Sequence, residues 1–300
     1  MKIAFLGSKK GGLAVLEALL SGKAGDIVGV FHPDDASDPR SELGAFERLA
    51  HAHGIPFKRI APGDAGKALA AAGAELVLVS GWYRLIPVQK LKPMVFLAIH
   101  YSPLPRYRGN APLVWQILNG EKEGGVSLFR MGEGMDDGDI LGQTLFPIGP
   151  EDTIREALEK AQAAAASLVA EVVLALIRGA AKFKPQNHAL ASYCGLRIPE
   201  DGRIDWTGSA SRIHDFVRSQ APPYPGAFTM LPNGGKLFVL KSRVHPAPYF
   251  GVPGAVAERQ PGRAVVTCGE GALEILEAAL EGSAPIPPEK ALDSLKIRLS

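Results

Sequence analysis

Cysteine is scarce in this sequence of 300 residues, which has only Cys194 and Cys268. The two lack the spacing of a zinc site or a redox-active dithiol, so they are interpreted as free thiols of a reducing compartment. Long apolar runs are also missing. The N-terminal run is too short for a signal-peptide core, and we find none of transmembrane length. We therefore expect a soluble cytoplasmic protein.

The sequence also lacks a large excess of charge of either sign, because its 33 basic residues are nearly balanced by 31 acidic ones, which leaves a formal net charge of +2. This balance does not favour a nucleic-acid partner, although a local basic patch is compatible with it. Internal repeats and low-complexity segments are absent. The length allows two domains.

Strand and helix signals alternate through the first half of the chain. We expect strands at Lys2–Gly7, Ile27–Phe31, Leu76–Ser80, Val95–His100, Val126–Arg130 and Ile140–Ile148. We expect helices at Leu13–Leu20, Ser41–His53, Pro112–Leu118 and Thr153–Arg178. This alternation predicts an α/β fold with a mainly parallel, Rossmann-like sheet covered on both faces.

The pattern changes after an irregular segment around Lys184–His188. One helix, Ser209–Ser219, precedes short strands that are separated by Pro and Gly. These strands are expected at Ala227–Leu231, Lys236–Val244, Ala264–Cys268 and Leu273–Ala278. The pattern of the second half therefore predicts a smaller β-rich domain, and a partly open barrel is compatible with it.

Three glycines at the first strand-to-helix turn, Gly7, Gly11 and Gly12, partly match a dinucleotide-binding fingerprint. Their spacing is not the GxGxxG that brings the backbone close to a pyrophosphate. A tight structural turn is the favoured interpretation, and an NAD-dependent enzyme is disfavoured.

The segment from Ala98 to Asp139 has the strongest functional signal. His100 ends an apolar strand, and Asp136, Asp137 and Asp139 follow in a glycine-rich loop. A histidine at a strand end and a carboxylate on a neighbouring loop can converge for proton transfer near neutral pH. A structural histidine and an ordinary turn are the competing interpretations, and the pair alone fits many reactions.

The same segment resembles the formyltransferases that use N10-formyltetrahydrofolate. The family pattern is approximately Asn-x-His-x-Ser-Leu-Leu-Pro-x-x-Arg-Gly, then Gly-Val-Thr, then Met-x-x-x-x-Asp-x-Gly-Asp. The matching residues are His100, Ser102, Leu104, Pro105, Arg108, Gly109, Pro112, Gly125, Val126, Met131, Asp136, Gly138 and Asp139. The later Asp201–Trp206 and Pro223–Phe228 look like the start of the C-terminal domain in the methionyl-tRNA and sugar-nucleotide enzymes. Together with Phe238–His245 they look most similar to the UDP-4-amino-4-deoxy-L-arabinose formyltransferase domain.

This resemblance implies a Rossmann-like catalytic domain at 1–183, a linker at 184–202 and an OB-like domain at 203–300. It also implies site residues. His100 and Asp136 would be catalytic, while Asp137 and Asp139 are expected to be loop residues. The residues expected at the formyltetrahydrofolate site are Trp82, Tyr83, Arg84, Leu85, Ile86, Gly132 and Gly134. Those expected to bind the acceptor are Ser102, Arg106, Tyr107, Arg108 and Gly109. No metal is implied.

One position departs from the family, because Ala98 stands where the family has Asn. A methyl group cannot donate to the formyl oxygen, and loss of one such donor typically lowers the rate by about 10²–10³. Three accounts stay open: an engineered inactive variant, a natural variant in which His100 acts alone or with another donor, and drift to another role.

The expected acceptor is a primary amine, most readily that of a nucleotide-linked amino sugar. Methionyl-tRNA and a hydroxyornithine-type siderophore precursor are alternatives, and near-neutral charge argues mildly against tRNA. A catalytically silent protein that binds folate or a nucleotide sugar is the alternative from another class. The sequence leaves the oligomeric state open, with a homodimer as one option.

Overall fold

The computed structural model describes residues 1–22, 25–61 and 63–300. The chain packs into two compact units. The first contains Met1–Pro112, Glu123–Phe146 and Leu158–Cys194, and the second contains Leu113–Lys122, Pro147–Ala157 and Gly195–Ser300. The division into domains at 184–202 stays a prediction.

The first unit is built on a twisted sheet whose strands are mostly parallel. Its strands are β1 (Lys2–Gly7), β2 (Asp26–Pro33), β3 (Phe57–Ile60), β4 (Leu76–Ser80), β5 (Val95–His100), β6 (Arg108–Gly109), β7 (Glu123–Arg130), β8 (Ile140–Pro147) and β9 (Tyr193–Cys194). Seven of these described strands form one sheet in the order β3-β2-β1-β4-β5-β7-β8. The pairs from β3 to β5 are parallel, and β5 with β7 is antiparallel. The predicted mainly parallel sheet is confirmed.

The helices of the first unit are α1 (Lys9–Ser21), α2 (Leu43–Ala52), α3 (Ala65–Ala71) and most of α5 (Ile154–Ile177), whereas α4 (Pro112–Leu118) belongs almost entirely to the second unit. The 3-10 turns are Val88–Leu91, His188–Leu190 and Pro199–Gly202. Sequence reasoning missed β3 and α3. In β3 only Ile60 is fully buried, and Lys58 and Arg59 are exposed, so this edge strand lacks an apolar run.

The helix α5 begins and ends within one residue of the expected Thr153–Arg178, but it is more apolar than the sequence analysis recognised. By length and mean hydropathy alone it could cross a membrane, a test that core helices of soluble proteins also pass. Its buried positions recur every three or four residues, at Ala161, Ala165, Leu168, Val169 and Val173. That spacing describes one face of a helix packed against a protein core.

The glycines of the first turn permit close packing. A Cβ on Gly12 would lie 2.9 Å from the carbonyl oxygen of Ser80, and one on Gly7 would lie 2.6 Å from the same atom. This supports the interpretation as a structural turn. Beside it, the Lys9 ammonium donates to Asp35 at 2.8 Å and to Asp38 at 2.7 Å.

Asp35 ties the loop after β2 to this turn. Ser8, Lys9 and Ser41 all donate to its carboxylate, and the residue is 5% exposed. Burial would raise the pKa of Asp35, but the hydrogen bonds from Lys9, Ser41 and Ser8 outweigh it and hold the pKa below its ordinary value.

The substitution Asp35→Asn is therefore expected to lower the free energy of unfolding at pH 7 by about 1–3 kcal/mol. Because the folded-state pKa is depressed, the stabilisation is complete above the unfolded-state value of about 3.9. It is lost as the pH falls through the lower folded-state pKa. Thermal denaturation at a series of pH values should show a difference in Tm between wild type and Asp35→Asn that narrows below about pH 4.

The exposed neighbour offers a control for this experiment, since Asp34→Asn should follow the wild-type Tm at each pH. A gap for Asp35→Asn that stays constant down to the acid limit of the titration would contradict the assignment.

The second unit contains an antiparallel sheet. Its strands are β10 (Ala227–Met230), β11 (Lys236–Val244), β12 (Val256–Gln260), β13 (Arg263–Thr267) and β14 (Ala272–Leu280). These described strands lie in the order β10-β11-β14-β13-β12. The helices α6 (Ala210–Ser219) and α7 (Pro288–Ala291) belong to this unit, and the core includes Trp206, Ile213 and Val217. The predicted β-rich C-terminal domain is confirmed, and β12, an edge strand with polar residues, was missed.

Candidate active site

His100 is the last residue of β5, and only 8% of it is exposed. Its Nε2 lies 2.8 Å from the carbonyl oxygen of Tyr107. Because a carbonyl only accepts, Nε2 must carry the proton. Nδ1 is therefore the ring atom free to exchange a proton, and it faces Asp136 with 3.7 Å between Nδ1 and Oδ2.

Asp136 lies in the loop between β7 and β8 and is held in an unusual conformation. Its φ is +49°, a left-handed value that costs a non-glycine residue about 1–2 kcal/mol. The Gly109 amide donates to Asp136 Oδ2 at 2.8 Å. With 26% of the Asp136 side chain exposed, the carboxylate is accessible to a substrate. The structure thus brings His100 and Asp136 together, as the sequence predicted.

The other two acids of this loop have different surroundings. A Cβ on Gly132 or Gly134 would collide with the Asp137 carboxylate, which shows that Asp137 lies over its own loop. Asp139 accepts a backbone hydrogen bond from Arg130. These contacts agree with their expected roles as loop residues.

The loop that carries Tyr107 is shaped by internal hydrogen bonds. The Ser102 hydroxyl donates to the carbonyl of Arg106 at 2.7 Å, and Ser102 is fully buried. Tyr107 has φ +61°, and its amide donates to Ser192 Oγ at 2.9 Å. This conformation directs the Tyr107 carbonyl at His100. The structure therefore gives Ser102 and Tyr107 roles in loop geometry, and their part in acceptor binding stays a prediction.

Arg108 is 2% exposed and is engaged within the protein. Its guanidinium donates to Gln186 Oε1 from Nη2 at 2.7 Å and from Nε at 3.2 Å, and to the Tyr193 hydroxyl at 3.3 Å. These contacts do not support the expected binding of an acceptor phosphate by Arg108, and that role stays a prediction. Arg106 lies over the ring of Tyr107, with 5.3 Å from Cζ to the ring centroid.

Sequence reasoning missed Gln186 and Ser192, which contact the catalytic loops. Arg108 and Gly109 form β6, which pairs in parallel with β9, at Tyr193 and Cys194. The segment 186–194 has no periodic pattern and was interpreted as part of a linker. No local signal marks it, because its partners lie about fifty to eighty-five residues away in the chain.

Ala98 lies two residues before His100 on β5, so both side chains point to the same face of the sheet. It is partly exposed and packs with Trp82 and Met131 against an apolar cluster that contains Phe96 and Ile86. Its methyl group offers no donor to this side of the site.

The residues expected to hold formyltetrahydrofolate combine exposed apolar surface with unsatisfied donors. Leu85 is 96% exposed and Tyr83 is 55% exposed, while Ile86 is buried in the core. Trp82 Nε1 and Arg84 Nη1 are buried, and neither has a hydrogen-bond partner among the described residues. Such surroundings fit a flat, polar ring system, because it would cover the apolar surface and accept from the orphaned N–H groups.

Within residues 1–22, 25–61 and 63–300, no group of three or more His, Cys, Asp or Glu side chains could hold a metal ion.

Comparison with known proteins identifies the class. The model of the formyl transferase family matches residues 1–173, and that of the formyl transferase C-terminal domain matches residues 197–296. The chain belongs to the formyl transferase family, and it is an N-formyltransferase that uses formyltetrahydrofolate. The sequence prediction of family and formyl donor is confirmed.

Individual relatives differ in their acceptors. A methionyl-tRNA formyltransferase of Sorangium cellulosum is 36% identical over 296 residues, covering 95% of this chain and 94% of that protein. WlaRD, a sugar 3N-formyl transferase solved with dTDP and 5-N-formyl-THF, has a TM-score of 0.71 at 20% identity, covering 95% of this chain and 99% of its own. An N-formyltransferase from Helicobacter canadensis, solved with folinic acid and dTDP-3-aminofucose, has a TM-score of 0.71 at 20% identity over 93% and 100% of the two chains.

Proposed function

We propose that this protein transfers the formyl group of N10-formyltetrahydrofolate to the primary amine of a nucleotide-linked amino sugar. The supporting observation is the charge at the carboxyl edge of the parallel strands. The loop 34–42, which follows β2, has four acidic residues and one arginine. A tRNA acceptor would instead require basic residues to neutralise its phosphates.

Three of the basic residues near this edge are engaged within the protein. Lys9 is paired with Asp35 and Asp38, Arg40 with Asp38, and Arg108 is buried against Gln186. Charges already paired in this way release few counterions from a polyanion, so they contribute little to tRNA affinity. A small acceptor does not depend on such a basic surface.

The geometry of His100 suits this chemistry. With Nε2 committed to the Tyr107 carbonyl, Nδ1 can take the proton that the attacking amine must lose, and Asp136 stabilises the resulting imidazolium. When protonated, Nδ1 can donate to the negative charge that develops on the formyl oxygen. Formyltetrahydrofolate supplies the activated formyl carbon, and the protein supplies the proton transfer and the orientation.

Methionyl-tRNA is the second candidate acceptor, and the identity of 36% over nearly the whole chain to a methionyl-tRNA formyltransferase favours it. The hydroxyornithine-type acceptor and the specific likeness to the L-arabinose enzyme stay predictions without a further supporting observation. The alternative of a catalytically silent binding protein rests on Ala98, which stands where the family has Asn.

An acceptor panel decides among these candidates. The protein is mixed with N10-formyltetrahydrofolate and, in separate reactions, with dTDP- and UDP-linked amino sugars, N-hydroxyornithine and methionyl-tRNA, while release of tetrahydrofolate is followed. We expect the highest kcat/KM with a nucleotide-linked amino sugar and a weak dependence of that value on salt. Preferred turnover of methionyl-tRNA, falling steeply with salt, would overturn the proposed acceptor.

The cytoplasmic location also stays a proposal, and the thiols support it. Burial raises the pKa of the Cys268 thiol to about 12. Burial and the charge of Asp136 raise that of Cys194 to about 11. Both thiols are buried and are therefore poor nucleophiles, as expected of structural cysteines.

A further inference from the structure

Gln186 connects the loop that carries Asp136 to Arg108, which precedes Gly109 in β6. It is 6% exposed, and its Nε2 donates to the carbonyl oxygens of Asp136 at 2.8 Å and Gly138 at 2.7 Å. Its Oε1 accepts both the Nη2 and the Nε of Arg108. Both amide N–H groups and the amide oxygen are thus used, which is the full bonding capacity of this side chain.

Only an amide can make this set of contacts. A carboxylate would accept from Arg108 but could not donate to the two carbonyls, and an ammonium would do the reverse. The buried guanidinium needs an acceptor, because a desolvated charge without hydrogen bonds is costly. The two carbonyls lie on either side of Asp137, within the segment that determines where the Asp136 carboxylate points.

This segment needs external support. Asp136 has a φ of +49°, a conformation that persists only when surrounding contacts hold it. Gly138 passes so close to Arg130 that a Cβ there would overlap the Arg130 carbonyl oxygen. Arg108 is adjacent to Gly109, whose amide binds the Asp136 carboxylate. Gln186 therefore supports Asp136 in two ways. It binds the backbone carbonyl of Asp136 directly, and it holds Arg108, the neighbour of the Gly109 whose amide binds the Asp136 carboxylate.

We propose that Gln186 is a positioning residue, which acts through Asp136 by holding the loop 136–138 and Arg108 in a fixed arrangement. Its effect on formyl transfer rests on the proposed function, but its effect on the loop does not. The assignment places a determinant of activity in the segment that sequence reasoning interpreted as a linker.

The substitution Gln186→Glu tests this proposal, because it keeps the size of the side chain and the acceptor for Arg108 while removing both donors. We expect kcat to fall by about 10²-fold, as misplacement of a catalytic group by about 1 Å can cause, with the KM for the formyl donor unchanged. In the Asp136→Asn background the same substitution should have little further effect, since residues that act as one unit are not additive.

The second unit offers a matched control. Gln220 is 8% exposed, its Oε1 accepts from Arg197 at 2.9 Å, and its Nε2 donates to the carbonyl of Phe216 at 3.3 Å. Gln220→Glu makes the same chemical change at a buried glutamine that also accepts from an arginine, in the unit that does not contain the catalytic loops. It should leave kcat and the KM for the formyl donor at their wild-type values.

Hydrogen exchange of the Gly109 amide gives a readout that does not need turnover. This amide donates to Asp136 Oδ2, so it should exchange at least about tenfold faster in Gln186→Glu and at the wild-type rate in Gln220→Glu. Unchanged exchange in Gln186→Glu would overturn the proposal even in a fully active enzyme. Altered exchange in a protein that transfers no formyl group would refute only the proposed function. Losses from Gln186→Glu and Asp136→Asn that multiply would show a merely structural role.

Discussion

Replacing Asp136 with asparagine is expected to lower kcat for formyl transfer by about 10²–10⁴-fold, the range typical of a lost general acid–base partner. Asparagine has nearly the same shape and can still accept from the Gly109 amide. It lacks the negative charge that faces His100 Nδ1 across 3.7 Å. The imidazolium formed when the amine is deprotonated would then lose its counter-charge. Steady-state turnover of the formyl donor with a saturating acceptor measures the loss.

The neighbouring carboxylate offers a control, because Asp137 lies over Gly132 and Gly134 of its own loop. Asp137→Asn should retain a kcat near that of wild type. His100→Gln should cost about as much as Asp136→Asn, and the double variant should cost little more than either, because the two residues act as one unit. An Asp137→Asn loss equal to that of Asp136→Asn would show that the wrong acid has been assigned.

The position of His100 could be predicted from the sequence because it depends on local information. An apolar run from Val95 ends at a histidine, and parallel strands bring their carboxyl ends to one edge of the sheet. The assignment of Asp136 among three acids required the family resemblance. Its left-handed backbone and its bond from Gly109 have no local signal.

The surroundings of Arg108 show why the remainder could not be predicted. Its sequence neighbours indicate a polar loop, and an arginine is usually exposed. Its burial instead depends on Gln186, which lies 78 residues further along the chain. Leu85 and Ile86 make the same point, since two similar neighbours are 96% and 5% exposed. Pairing and packing over such separations are decided by tertiary structure.

Restoring asparagine at position 98 is expected to raise kcat by about 10²–10³-fold, the effect of one donor to a developing oxyanion. Ala98 and His100 lie two residues apart on β5 and share one face of the sheet, so the new amide would act on the same substrate as His100. Ala98 is partly exposed, which leaves room for the larger side chain. The measurement is single-turnover formyl transfer with each acceptor of the panel.

Ala98→Asp separates donation from size, because aspartate has nearly the same shape as asparagine but no N–H group to offer. It should give no gain, and the gain from Ala98→Asn should vanish in the His100→Gln background. An equal rate for wild type and Ala98→Asn would mean that another group already stabilises the oxyanion. The buried Trp82 Nε1, unpartnered among the described residues and packed against the same apolar cluster as Ala98, would be the first to replace. If Trp82→Phe then lowered the rate of the wild-type enzyme but not that of the Ala98→Asn variant, Trp82 in the loop after β4 would be the residue that supplies the donor which the family's Asn supplies from β5.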